Sequence, residues 1–270
     1  MIPLRDNLPT QRRPVATIVL IAINVAVFLL VQSPLRGTDE VRIQSETVRI
    51  DSELRFDLEY AAIPCEITQG RPLTINEIGK TFVQGDTSAC DHNDESPPLF
   101  PGKNVYLAVI TSMFLHGGWL HLGFNMLFLW VFGNNVEDRL GWALYLLFYV
   151  LAGIFAAAGQ ILLNPNSTVP VIGASGAIAG VMGAYLVWYP RAKVFTLFFA
   201  ILVWFREIEA RVVLLVWFAL QFIFNRGGDV AWMAHVSGFA FGAAVAWIFR
   251  PRGRPAALSD PWSPPPSPYR

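Results

Sequence analysis

Charge is scarce in this chain of 270 residues, and it is missing altogether from the places where a soluble protein would carry it. Asp, Glu, Lys and Arg make up 15% of the residues against 54% hydrophobic. That balance excludes an ordinary globular domain, in which about a quarter of residues are charged. No charge occurs in 15–32, 142–163, 173–189 or 232–249, and uncharged runs of 17 to 22 residues are long enough to cross roughly 30 Å of hydrocarbon as helix. Cysteine is limited to two residues, too few for a disulfide scaffold. There is no HExxH, so no zinc-peptidase signature is present. Acids are absent from the span interiors, with Glu137, Glu207 and Glu209 only at edges, and no inverted repeat is visible. A transporter that used buried acids as an ion path is thereby disfavoured.

What is there divides the chain into unequal parts. Residues 1–14 form a basic lead-in, and the apolar run from Val15 to Val31 follows Arg12 and Arg13. That run is long for a signal peptide and is followed by Gln32, Ser33 and Pro34 rather than a small-x-small cleavage site, so we read it as a retained span. Residues 33–104 are a polar insertion with 13 acidic and 7 basic residues, expected to form short helices and loops. Further spans are expected at 118–136, 142–163, 173–189, 207–225 and 232–249, with 251–270 a disordered proline-rich tail.

The stretch 194–224 is ambiguous, because Arg206, Glu207, Glu209 and Arg211 cut it into apolar halves that are each short for a span. Arg5, Arg12 and Arg13 flank the first span and Arg250, Arg252 and Arg254 follow the last, which puts both ends in the cytoplasm. An even number of spans follows. Six satisfy it if only the half from Glu207 crosses and 194–205 stays at the cytoplasmic face. The insertion then lies outside, where Cys65 and Cys90 would be joined; in a cytosolic loop they would be free thiols.

Three constellations in the apolar part carry chemistry. Ser175 sits in GASGAIAG from 173 and His235 in AHVSGFAFG from 234, each a lone reactive side chain among glycines. A hydroxyl or imidazole in hydrocarbon costs free energy unless something uses it, and a nucleophile and a base in separate spans suggest peptide hydrolysis within a bilayer. Ser175 begins its span, where its backbone N–H is unpaired and the helix dipole favours an anion. Gly176, Gly180 and Gly183 run down that span, and Gly238 and Gly242 form a second small face after His235, a pattern that lets helices approach closely. Ser237, the rival nucleophile, lies about 200° around the same helix from His235 and is assigned to packing. His121 and Asn125, four apart, share a helical face; they either donate toward one point or tie helices together as polar glue. His116 is assigned to the membrane interface and His92 to the polar insertion.

With these residues in view, the chain resembles the rhomboids, a family of intramembrane serine proteases. The resemblance rests on HGGWLHLGFNMLFLWVFGNNVEDRLG from 116, GASG from 173 and AHVSGFAFG from 234, in the family's order; MIPLRDNLPTQRRP and EYAAIPCEITQG are similar to bacterial members. It implies an all-α membrane protein, a six-transmembrane-helix bundle over 15–250 with a long external loop at 33–104 between the first two helices. It implies Ser175 as nucleophile and His235 as general base, with His121, Asn125 and the Ser175 N–H as the oxyanion hole. Glu137 and Arg139 become a structural pair at the cytoplasmic end of the second span. The fifth span and the loop after it become a gate.

The partners implied are transmembrane protein substrates and the lipid bilayer, with no nucleic acid, metal or organic cofactor; the oligomeric state is left open. The expected location is a bacterial cytoplasmic membrane. The insertion departs from some rhomboids in having no Trp. The alternative within the same fold is an inactive rhomboid-like module that binds membrane proteins. Retention of both Ser175 and His235 weighs against it.

Overall fold

The computed structural model describes residues 1–35, 37–43, 46–199, 203–224 and 231–250. The expected tail at 251–270 and most of the expected gate loop, 225–230, lie outside the described residues. Strand β1 (Ile2–Asp6) leads to helix α1 (Val15–Val27), which continues as a π-helical turn from Phe28 to Gln32. The insertion holds strands β2 (Thr38–Ile43) and β3 (Glu46–Asp51) and helices α2 (Ser52–Tyr60), α3 (Pro64–Gln69) and α4 (Ile75–Phe82). After the short α5 (Ala108–Thr111) come α6 (Trp119–Leu140), α7 (Trp142–Leu163) and α8 (Ser175–Trp188). Strands β4 (Lys193–Phe199) and β5 (Val203–Glu209), then α9 (Ala210–Phe224) and α10 (Trp232–Ile248), complete the order.

By length and composition, 15–32 and 142–163 are able to cross a membrane; α8, α9 and α10 are shorter apolar helices. Helix α8 is the centre of the packing, touched by α6, α7, α9 and α10, while α1 lies on α6 and α7. Its flank is filled by buried aromatics: Phe132, Tyr145, Tyr149 and Tyr185 are almost wholly covered.

The glycines explain how closely these helices meet. A methyl group at Gly180 would lie 2.5 Å from the Ala152 Cβ and 3.2 Å from the Gly238 carbonyl oxygen. A Cβ at Gly242 would collide with the Gly180 carbonyl, one at Gly238 with the Gly176 carbonyl, and one at Gly176 would lie 2.6 Å from the Ala156 Cβ. Backbone therefore rests on backbone between α8 and α10, as small-xxx-small faces allow. Ser237 faces Gly159 of α7, the packing role expected of it.

Two small sheets that were not expected accompany the helices. Strands β2 and β3 pair antiparallel, and β1, β4 and β5 form an antiparallel sheet in the order β1-β4-β5. The register pairs Ile2 with Leu197 and Asp6 with Val194, then Lys193 with Glu209 and Leu197 with Phe205. The cause lies in the ambiguous stretch itself. Its first half is too short to span, rich in aromatic and β-branched residues, and its charges satisfy a strand's solvent side. Lys193 pairs with Glu209 at 3.4 Å, and Phe195 stacks on Phe205. The helix predicted from Glu207 accordingly starts three residues later, at Ala210. Asp6 anchors the sheet to the helices, accepting hydrogen bonds from Tyr185 Oη (2.5 Å) and Asn135 Nδ2 (2.6 Å).

The insertion has its own small core of Leu58, Ile63, Cys65, Leu73 and Ile78. Cys65 and Cys90 are joined as a disulfide with Cα atoms 5.7 Å apart. Helix α4 opens with a Thr74–Glu77 capping box, and Glu77 also receives a two-pronged hydrogen bond from Arg71. Glu66 and Lys103 form an ion pair at 2.6 Å with both side chains almost fully covered.

Glu137 and Arg139, expected to act as a pair, turn to different neighbours. The Glu137 carboxylate accepts the Ala16 and Thr17 amides (2.8 and 2.7 Å) and the Thr17 hydroxyl (2.8 Å), satisfying orphan donors at the start of α1. Arg139 lies over the Trp188 ring, 4.6 Å from its centroid. Two positions apart on a helix means nearly opposite faces, so each fastens α6 to a different element.

Candidate active site

Helices α8 and α10 carry Ser175 and His235 to one point. The hydroxyl Oγ of Ser175 and Nε2 of His235 are 2.8 Å apart, 60 residues apart in sequence. They face a cleft of about 440 Å³ that is also lined by His121, Asn125, Trp217 and Gln221. Sequence placed four of these six there; Trp217 and Gln221 were missed. Their signal was a polar Gln four residues after a Trp in an apolar helix, indistinguishable from packing without a partner in view.

Ser175 is the first residue of α8, so its N–H has no partner within the helix. Gly173, two residues earlier, has φ +119, a conformation that L side chains rarely adopt. A Cβ there would lie 2.9 Å from His121 Nε2 and 3.5 Å from the Ser175 hydroxyl. Glycine at 173 thus lets the His121 ring come up beside the serine.

The His121 ring is oriented by its own loop. Its Nδ1 accepts the Gly117 N–H at 3.2 Å, so in the neutral ring the hydrogen sits on Nε2, the nitrogen facing Gly173. Asn125 donates one Nδ2 hydrogen to the His121 carbonyl at 2.9 Å, and a second hydrogen on the same nitrogen remains. Asn125 is buried, 6% exposed.

His116, assigned to the interface from sequence, is instead fully buried. Its ring meets that of His121 edge-on, with centroids 5.2 Å apart. Gln32, at the end of the first helix, clasps its backbone from both sides: Oε1 accepts the His116 N–H at 3.0 Å and Nε2 donates to the His116 carbonyl at 3.3 Å. The cause of the burial is that turn, which carries the chain from the insertion into α6 beneath the site.

On the far side of the serine, the His235 ring is held from α9. Its Nδ1 lies 2.8 Å from Gln221 Oε1, and its ring lies 5.8 Å from that of Trp217. The cleft wall at 170–172, and the loop leading into it, are tied to the insertion. Cys65 N–H donates to the Ser167 carbonyl (2.9 Å), Thr168 N–H to the Thr87 carbonyl (3.0 Å) and Val171 N–H to the Ala62 carbonyl (2.8 Å). A hydroxyl, an imidazole and several unspent N–H donors around one apolar cleft suit acyl transfer.

The chain is similar in sequence to known proteins. The family model described as the rhomboid domain matches residues 103–252. Rhomboid protein 1 of the mitochondria of Saccharomyces cerevisiae is 30% identical over 147 residues, 52% of this chain and 35% of that protein. The putative rhomboid protease YdcA of Bacillus subtilis is 32% identical over 140 residues, 52% of this chain and 65% of its own length. The rhomboid protease AarA of Providencia stuartii is 31% identical over 166 residues, 54% and 57% respectively. The chain therefore spans between a third and two thirds of these relatives.

Proposed function

The chain belongs to the rhomboid family, an all-helical membrane fold, and from that premise we propose that it is an intramembrane serine endopeptidase acting through a Ser175–His235 dyad. The observation that carries the reading is the 2.8 Å approach of Ser175 Oγ to His235 Nε2 across two helices, at the edge of an apolar cleft. Two of the relatives above are named as proteases, which supports it.

Ser175 attacks the carbonyl carbon of a substrate peptide bond while its proton passes to His235 Nε2. Charge develops on the carbonyl oxygen, where the Ser175 N–H, His121 Nε2–H and the second Asn125 hydrogen converge to stabilise it. Collapse of this intermediate expels the amine, which takes the proton from His235 and leaves an acyl ester on Ser175. Water then attacks the ester with His235 again as base, releasing the acid and restoring the hydroxyl.

The topology we propose has six transmembrane helices (α1 and α6 to α10) over 15–250, residues 1–14 and 251–270 in the cytoplasm, and the 33–104 insertion outside. The basic residues at both ends support it, as does a disulfide in the insertion, a bond that persists in oxidising compartments. The β1-β4-β5 sheet then lies on the cytoplasmic side. Substrates are proteins anchored by a transmembrane segment and cut near the extracytoplasmic face, and a bacterial cytoplasmic membrane is the proposed location. A fluorophosphonate probe should label Ser175 in the wild type and spare Ser175→Ala, which should also lose cleavage of a transmembrane reporter. Labelling at Ser237, or cleavage undiminished in Ser175→Ala, would overturn the dyad.

A further inference from the structure

A catalytic base without a third group has nothing to choose its tautomer. Neutral imidazole carries one hydrogen, on either nitrogen, and only the form with a bare Nε2 can accept the Ser175 proton. Among the described residues no carboxylate approaches His235. The side chain that does is an amide. Gln221, on α9, is 7% exposed and lies 2.8 Å from His235 Nδ1 through its Oε1.

The orientation of that amide is itself determined. Gln221 Nε2 donates to the Trp217 carbonyl one turn back at 3.2 Å, which turns Oε1 toward the imidazole. An amide oxygen only accepts, so Nδ1 must hold the hydrogen and Nε2 must be bare toward Ser175, 2.8 Å away. The Trp217 ring beside the imidazole, with centroids 5.8 Å apart, limits its rotation. We propose that Gln221 is the positioning residue of the catalytic base, making a Ser175–His235–Gln221 relay in which an uncharged amide takes the place that a carboxylate holds in aqueous serine proteases. The same logic operates in Cys–His–Asn proteases, where an amide orients the ring. An amide suits a site in hydrocarbon, because a carboxylate there would have to be desolvated as well. When Nε2 takes the serine proton, the Nδ1–H bond to Oε1 becomes charge-assisted and strengthens.

This inference rests on the dyad reading, and the test keeps the two apart. Gln221→Met removes the acceptor at similar volume, while Gln221→Glu restores one. Both are purified with the wild type, and kcat and KM are measured on a transmembrane reporter beside fluorophosphonate labelling of Ser175. Gln221→Met should lose roughly 10- to 100-fold in kcat with KM within threefold, less than the 10²–10⁴-fold that a general base supplies. Gln221→Glu should recover a large part of that loss.

Nitrogen-15 spectra of histidine-labelled protein at neutral pH, with only four histidines to assign, should show the Nδ1–H form at His235 in the wild type and a mixture in Gln221→Met. The spectrum reads the tautomer even in a variant too unstable to turn over. A labelled, active wild type beside a Gln221→Met enzyme with unchanged kcat and tautomer overturns the role of Gln221 alone. So does an equal loss in Met and Glu variants with the tautomer unchanged, which is the signature of helix glue. A wild type that is neither labelled nor active overturns the dyad and this inference together.

Discussion

The Val171 N–H donates to the Ala62 carbonyl at 2.8 Å, joining the polar insertion to the cleft wall four residues before Ser175. The insertion is stapled by Cys65–Cys90 within the same small core as Ile63, so it holds that wall as a stiff bracket rather than a loose flap.

Removing the staple should loosen the wall. A disulfide closing a loop over 25 positions stabilises by roughly 3 kcal/mol. Cys65→Ala with Cys90→Ala is expected to lower the melting temperature and to raise KM several-fold, with Ser175 still labelled by a fluorophosphonate. A destabilised variant with unchanged KM would show that the insertion does not shape the substrate cleft.

Asn125→Ala should test whether that side chain serves chemistry or packing. Loss of one oxyanion donor costs about 10²–10³ in turnover, so kcat should fall by that order with the melting temperature near wild type. Polar glue between helices is worth roughly 1 kcal/mol and would act on stability instead. A less stable enzyme that turns over normally would remove Asn125 from the oxyanion hole.

The α8–α10 contact should tolerate no side chain at its closest point. Gly242→Ala puts a methyl into the Gly180 carbonyl and is expected to cost about 1–3 kcal/mol or more by overpacking. The Ser175–His235 approach rides on these two helices, so probe labelling should fall with it. Gly123→Ala on α6, where a Cβ would meet nothing within 4 Å, is the control and should be neutral or slightly stabilising. Equal thermal unfolding of the two variants would refute the close-packing argument.

Asp57 gives the insertion a pH dependence whose sign can be worked out. Burial, with Glu53 and Asp51 nearby, raises its carboxyl from 3.8 to about 7, and Oδ1 has no hydrogen-bond partner among the described residues. The folded state then holds a proton that the unfolded chain has lost, so this group's contribution falls as pH rises between about 4 and 7. Asp57→Asn should stabilise the protein at pH 7.5, by on the order of 1–3 kcal/mol, and leave it unchanged near pH 3.5. Melting curves across that range decide it; a variant less stable at pH 7.5 would mean the carboxylate is needed.

Much of the membrane part was legible because hydrocarbon permits so little. Uncharged runs located α1, α7, α8 and α10, and Ser175, His235, His121 and Asn125 stood out as polar groups where polarity is costly. The β1-β4-β5 sheet was not legible, because β4 pairs on one side with β5 and on the other with residues nearly 200 positions earlier, and no local period records such a partner. His116 misled for a related reason: a histidine just before a span reads as an interfacial residue, and only its surroundings in the fold, among them the Gln32 side chain 84 residues away, show it to be interior.

Sequence by itself determined where the chain is apolar, which few side chains in those regions can react, and where helices meet without side chains between them. Those are properties of composition and of a 3.6-residue period, which neighbouring residues carry among themselves. The tertiary structure alone decided which partner faces each nitrogen of His235, the holding of the cleft wall by the insertion, and the parting of Glu137 from Arg139. Each of these depends on the direction in which a side chain points toward a partner far away in the chain. A glutamine in an apolar helix is the same letter whether it faces His235 or a neighbouring apolar chain, and only a 2.8 Å distance tells the two apart.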